Sequence, residues 1–302
     1  MSRDNALADG LVVSAHGRHY LIETPDGKRH QVRPRGKKSE CVVGDRVRWL
    51  VTGKAEGVIE HVEPRINVLT RQDEWRTKSF AANVDQLLVI VAGEPMFGES
   101  QLARALIAAG SADIPALIGL NKIDLPQAEV ARERLLAYRA MGIKVVEFSL
   151  KADPPAARRS LLPLLQGCRT LLLGPSGAGK STLINLIVPD AGAQVGEISR
   201  ALNSGRHTTT TAQWYWLDAE RRSALIDTPG FQEFGLQHID AANLALLMPD
   251  LRTHVAQCRF YNCTHRQEPG CGVAAACARG EIAPSRWRIY REIYEEMTTA
   301  RF

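Results

Sequence analysis

The chain has 302 residues, 45% hydrophobic and 24% charged, with a formal net charge of +5. Length alone predicts about two domains with a sizeable core, and the composition is that of a soluble globular protein. No apolar run approaches the roughly 20 residues of a membrane helix, and Met1-Ser2-Arg3-Asp4-Asn5 lacks the apolar core of a secretory signal, so a cytoplasmic protein without membrane contact is expected.

Residues 1–72 read as a small β-barrel. Leu11-Val12-Val13, Tyr20-Leu21-Ile22 and the runs 46–51 and 58–62 are strand-like, with turns at Asp26-Gly27, Val43-Gly44-Asp45 and Thr52-Gly53. Several short strands in so little chain suit an oligonucleotide-binding (OB) barrel, with an SH3-like barrel as the alternative. Residues 1–71 hold 13 Lys/Arg against 9 Asp/Glu, so much of the basic surplus lies here. The stretch Arg33-Pro34-Arg35-Gly36-Lys37-Lys38 is expected in a barrel loop, where it would meet RNA phosphates or simply be solvated.

From about residue 80 strands alternate with helices, which predicts a three-layer α/β domain over residues 73–238. Residues 84–91 form a nearly continuous apolar run, as in a strand covered on both faces. A helix over 101–110, a strand over 114–120, a helix over 129–141 and a strand over 143–148 follow. Further strands are expected at 169–173, 214–217 and 223–226. Residues 239–302 hold four of the six cysteines and a final helix over 285–298, a mostly α C-terminal domain.

Strand 169–173 runs into Gly174-Pro175-Ser176-Gly177-Ala178-Gly179-Lys180-Ser181 and then into a helical stretch beginning at Thr182. This is the strand–loop–helix context of a phosphate loop, in which backbone N–H groups wrap the phosphates and the helix N-terminus adds positive potential. Lys180 would neutralise the β- and γ-phosphates, and the Ser181 hydroxyl would ligate Mg²⁺.

The base is specified elsewhere. Asn121-Lys122-Ile123-Asp124 follows an apolar strand, at the carboxyl edge where nucleotides bind. The Asp124 carboxylate can accept from guanine N1–H and the exocyclic amine, a pattern adenine does not offer. Asn121 would brace the site, the Lys122 stem would pack on the base, and Ser149-Leu150-Lys151 would add a backbone contact to the base oxygen, centred on Ser149.

Asp227-Thr228-Pro229-Gly230 ends the strand at 223–226; Asp227 would hold Mg²⁺ through water, and the Gly230 N–H would sense the γ-phosphate. Phe231 follows, where Ras-like proteins carry a water-positioning glutamine, so hydrolysis must rely on another group or be slow. The run Gly205-Arg206-His207-Thr208-Thr209-Thr210-Thr211 offers Thr209 or Thr210 for Mg²⁺, and His207 to orient water or act as a base. Cys258-x4-Cys263-x-His265-x5-Cys271 offers three thiolates and an imidazole, a closed set suited to one structural Zn²⁺ per chain. That closure argues against a zinc hydrolase. Arg259, Phe260, Tyr261, Asn262, Thr264 and Arg266 place cations and aromatics beside the cluster, a mixture suited to RNA. Cys277 is a rival ligand in a helical run, better read as a packed thiol.

The base segment precedes the phosphate loop, the reverse of the usual GTPase order. With that order, Gly-x-His-Thr-Thr-Thr at 205–210, the apolar Phe231, the Cys-x4-Cys-x-His-x5-Cys clip and Arg65-Ile66-Asn67-Val68-Leu69-Thr70-Arg71, the chain resembles the circularly permuted, small-ribosomal-subunit-dependent GTPases of the RsgA (YjeQ) family. The resemblance covers nearly the whole length. It implies an OB barrel, a circularly permuted P-loop GTPase domain and a zinc domain. It also implies a monomeric late assembly factor that binds GTP/GDP, the small (30S) ribosomal subunit and its rRNA, with hydrolysis stimulated by the subunit and promoting release. His207 matches the family's proposed catalytic histidine. The alternative is a nucleotide-gated rRNA-binding scaffold with incidental hydrolysis, which Phe231 keeps open. Because residues 231–257 join the last switch to the C-terminal domain, nucleotide state is expected to set that domain's orientation.

Overall fold

The computed structural model describes residues 7–36, 41–53, 55–73, 76–188, 212–228, 236 and 238–299. Strands β1 (Ala8–His16), β2 (His19–Glu23), β3 (Arg29–Pro34), β4 (Arg46–Val51) and β5 (Glu56–Val62) form the N-terminal barrel. β1 pairs with both β2 and β4, β3 runs parallel to β5, and the remaining pairs are antiparallel. The circuit β1-β2-β3-β5-β4-β1 is the Greek-key order of an OB barrel. Alternation along the strands sends Val12, Ile22, Val32, Val47, Trp49 and Ile59 inward. Gly57 is glycine because the Trp49 indole lies 2.3 Å from where its Cβ would stand.

β3 was not apparent in the sequence, since among its six residues only Val32 is both apolar and buried. The structure therefore corrects the expected placement of the basic stretch. Arg33 and Pro34 end β3, opposite Val58 and Ile59, while Lys37 and Lys38 lie outside the described residues.

A hairpin of β6 (Val68–Asp73) and β7 (Arg76–Ala82) follows. Its base is tied down by two amides. Asn67 exchanges hydrogen bonds with the backbone of Val84 at 2.8 and 2.9 Å. Asn83 accepts from Ile66 N and donates to Gly44 O. Arg65 pairs with the buried Asp45 at 2.7 Å. The link recognised in the sequence is thus locked to barrel loop 42–45.

The central sheet contains β8 (Gln86–Ala92), β9 (Ala116–Asn121), β10 (Lys144–Glu147), β11 (Arg169–Leu173), β12 (Gln213–Trp216) and β13 (Ala224–Asp227) in the order β10-β9-β8-β11-β13-β12. All pairs are parallel except β12 with β13. Along β8, Leu87, Val89 and Val91 enter one core, with α1 (Glu99–Ser111) and α2 (Ala128–Ala140). Leu88 and Ile90 enter the other, with α3 (Pro154–Leu165) and α4 (Lys180–Ile187). This two-sided burial explains the unbroken apolar run. The permutation appears as β11, which leads to the phosphate loop, lying beside β8 although β9 and β10 intervene in the chain.

After two short 3₁₀ turns come α5 (Pro249–Val255), α6 (Gly272–Ala278) and α7 (Pro284–Thr298). Leu251, Val273, Ile289 and Ile293 join the core that also holds α1 and α2. Arg286 pairs with Asp250 at 2.8 Å while its guanidinium lies 5.0 Å from the Tyr138 ring centre, and Arg104 reaches Glu296 at 2.5 Å. A swing of this module, as expected from the permutation, would have to break that shared core. Among the described residues no helix is long and apolar enough to cross a membrane.

Candidate nucleotide and metal sites

Residues from both halves of the chain meet at the carboxyl edge of the central sheet. β9 ends in Asn121, whose buried amide donates to Ala178 O of the phosphate loop at 2.8 Å, 57 residues away. The Asn121 oxygen accepts from Leu150 N at 3.1 Å, so one side chain ties three loops together. The approach is so close that a Cβ on Gly179, itself at φ +113°, would sit 2.3 Å from the Asn121 amide nitrogen. Lys122 adopts φ +62° and donates to Glu94 O at 2.6 Å.

The Ser149 hydroxyl donates to Asp124 Oδ1 at 2.5 Å and accepts from Ala152 N at 3.0 Å. Ser149 thus contacts the Asp124 carboxylate through its side chain, beyond the backbone role expected from sequence. It fixes one oxygen of that carboxylate.

Gly174, Gly177 and Gly179 all have positive φ, which lets the phosphate loop turn its backbone. Pro175, Ser176 and Ala178 lie between them, and Ser181 and Thr182 sit in the first turn of α4. Lys180 donates to Gly174 O at 2.6 Å and Pro175 O at 3.2 Å. Burial pushes its ammonium pKa down, partly offset by Asp227.

Asp227, at the end of β13, is buried, and its Oδ1 has no hydrogen-bond partner. Burial raises its pKa from 3.8 to about 6 against the pull of Lys180. An orphaned buried carboxylate oxygen beside a phosphate loop fits a divalent cation. Such a carboxyl is more protonated in the folded than in the unfolded chain between those pH values, so stability falls as pH rises from about 4 to 6 and the penalty persists above. It amounts to at most about 3 kcal/mol. Asp227→Asn is therefore expected to stabilise the nucleotide- and magnesium-free protein by about 1–3 kcal/mol at pH 8 and hardly at all near pH 4. Urea midpoints at the two pH values would check this; equal midpoints for both proteins at pH 8 would refute it.

The expected switch residues His207, Thr209, Thr210, Gly230 and Phe231 lie outside the described residues. Thr228 is buried, with its hydroxyl on Leu172 O at 3.3 Å.

In the C-terminal module, ligand atoms of Cys258, Cys263, His265 and Cys271 all lie within 4.8 Å of one another. His265 Nδ1 is 3.4 Å from Cys258 Sγ and 3.5 Å from Cys271 Sγ. A tetrahedral ion with bonds of about 2.3 Å to sulfur and about 2.0 Å to nitrogen would separate such atoms by about 3.5 Å, so the donor set fits zinc. Backbone N–H groups of Gly272 and Ala274 point at Cys258 Sγ and Cys271 Sγ. Burial lowers the His265 pKa, which favours the neutral, ligating imidazole.

Sequence reasoning missed the buttress. Glu268 accepts from Thr264 N and Oγ, Arg266 N and Gln267 N, which holds the turn that places His265 at φ +57°. Although burial opposes ionisation, these bonds bring its pKa to about 2. Trp287 and Tyr290 of α7 donate to the His265 and Thr264 carbonyls. No spacing motif announces Glu268; only its place inside the ligand loop hints at it. Cys277 lies on α6, outside the cluster.

The RsgA GTPase family model matches residues 62–237. The chain is 56% identical to the small ribosomal subunit biogenesis GTPase RsgA of Variovorax paradoxus, over 98% of this chain and 94% of that protein. It is 51% identical to proteins of the same name from Burkholderia pseudomallei (98% and 94% covered) and Bordetella pertussis (97% and 98%). Among solved structures it resembles YjeQ from Thermotoga maritima (TM-score 0.73, 29% identity, 98% and 100% covered). It also resembles YloQ, described as a circularly permuted GTPase (TM-score 0.70, 25% identity, both chains fully covered). Nearly full-length identity above one half, joined to the permuted sheet and its two candidate sites, places this chain in the RsgA GTPase family.

Proposed function

We propose that the protein is a GTPase that acts in maturation of the small ribosomal subunit, with hydrolysis stimulated by the subunit and promoting release. The observation that carries the catalytic part is Asn121 bridging the base segment and the phosphate loop. The names of the relatives at 51–56% identity support the ribosomal part. In this reading Asp124, Asn121, Lys122 and Ser149 hold guanine, and 174–182 hold the phosphates. Ser181, Asp227 and Thr209 or Thr210 hold Mg²⁺, which when bound offsets phosphate charge. Gly230 senses the γ-phosphate, and His207 orients the attacking water in place of the glutamine that Phe231 replaces.

The division of labour follows 1–72, 73–238 and 239–302. The barrel and the zinc module grip rRNA, the latter through the fully exposed Tyr261 and the half-exposed Phe260, beside Arg259. One Zn²⁺ clips the C-terminal module. The protein works as a cytoplasmic monomer.

GTP turnover with and without purified small subunits, in the wild type and His207→Ala, tests the scheme. Stimulation of the wild type by about 10-fold or more, lost in the variant, is the expected result for a water-positioning group. Turnover indifferent to subunits would favour a nucleotide-gated scaffold, and stimulation retained in the variant would remove His207 from the mechanism.

A further inference from the structure

The barrel meets the GTPase sheet at a narrow joint. β1 and β12 share the single register pair Ser14–Gln213, whereas β12 and β13 share four. Beside the joint lies a cleft of about 940 Å³, lined in part by Glu23, Trp214, Trp216 and Arg221.

Glu23, at the end of β2, is buried and takes partners from both sides of this joint. Arg29 of the barrel pairs with it at 3.0 Å. From the other side, the Trp216 indole N–H of β12 donates at 2.7 Å. The Arg221 guanidinium, from the turn between β12 and β13, stands 3.5 Å away. Arg221 also donates to Pro25 O at 3.2 Å, and it fills the space beside Gly27, where a Cβ would lie 2.0 Å from its Nη2. The β12–β13 turn is therefore seated in the β2–β3 turn of the barrel.

The opposite end of the same hairpin pairs Gln213 with Asp227, the buried carboxylate beside Lys180. Four residues of ladder span only about 13 Å. A short hydrogen-bonded ribbon is a rigid element of the kind that can carry coupling between two sites. Val13 and Val43 of the barrel also join the core of α1 and α2, so the barrel reaches the GTPase domain both there and through this ribbon.

We propose that Glu23 and Arg221 are positioning residues for the GTPase centre: through the β12–β13 hairpin the barrel holds Asp227 in the geometry that favours the triphosphate over the diphosphate. The inference rests on the GTPase reading of the pocket. By linkage, any ligand that reorients the barrel would change the preference for GTP, and GTP would change that ligand's affinity by the same factor.

The test uses the full chain with Glu23→Gln, Arg221→Ala and the double variant. Affinities for GDP and for a non-hydrolysable GTP analogue are measured with Mg²⁺, together with kcat and KM for GTP. GDP affinity is expected to stay within about twofold, while analogue affinity and kcat fall about fivefold or more. The double variant should match the worse single variant, because both break one latch. Arg221→Lys, which keeps the charge near Glu23, should recover part of the loss.

Folded variants with an unchanged analogue-to-GDP ratio and unchanged kcat would overturn the proposal. So would equal losses for both nucleotides, which mark general destabilisation. Failure of the wild type to bind guanine nucleotides would sink the GTPase reading instead, so the two failures are distinguishable.

Discussion

Asp124→Asn is expected to lower GTP affinity by about 10³-fold or more and to transfer the preference to xanthosine triphosphate. One oxygen of Asp124 already accepts from the Ser149 hydroxyl. In the asparagine variant the carbonyl oxygen inherits that bond, because the hydroxyl is donating there and already accepts from Ala152 N. The amide NH₂ is then turned toward the base. Guanine would meet a donor where it needs an acceptor for its exocyclic amine; xanthine, with a carbonyl at that position, would be matched. The loss is large because a donor facing another donor, once the base covers them, costs both hydrogen bonds and leaves both groups desolvated. The variant should fold normally, since Asp124 has no ion-pair partner among the described residues. Competition of labelled GDP by GTP and by xanthosine triphosphate reads out the result. A variant that loses GTP without gaining the xanthine nucleotide would show that Asp124 does not face the base edge.

Most of this fold was legible because its signals are local. β11 and β4 are located to the residue, since an apolar run or an alternating strand bounded by glycine or turn residues admits little slippage. Both candidate clusters stand out by spacing, as phosphate loops and tetrahedral metal sites constrain short stretches of chain. What escaped were features fixed by tertiary contact. β3 has one apolar buried residue and is held by ladder bonds to β2 and β5, which no periodicity reveals. The β6–β7 hairpin depends on the Asn67 and Asn83 amides meeting backbone groups that fold onto them. Helix α3 carries Pro154 and Pro155 at its start and Pro163 inside, residues that obscure a helical pattern. Glu23 gave no sign in the sequence, because its partners Trp216 and Arg221 lie nearly 200 residues away.

The packing of the C-terminal module also decides how it should fail. Removing the metal is expected to unfold the ligand loop without releasing α7. Residues 258–271 have little apolar core of their own and are held by the cluster of four candidate ligands, the Glu268 buttress and two bonds from α7. Helix α7 is held independently, with Ile289, Tyr290 and Ile293 buried against the core of α1 and α2.

Chelation, or Cys263→Ser, should therefore abolish hydrogen-exchange protection over 258–271, lower stability by several kcal/mol, on the order of a structural zinc site, and leave α7 protected. The pH dependence has a definite sign. In the metal-free cluster burial pushes the Cys263 thiol up to about 12, and the Cys271 thiol also upward, so ligation must displace protons. Metal affinity should then rise steeply with pH and be lost on acidification. One equivalent of zinc per chain, released on acidification together with protection of the loop alone, is the expected result. Zinc-free protein that keeps loop protection would show that Glu268 and α7 suffice, and loss of α7 protection at the same time would show that the module folds as one unit around the ion.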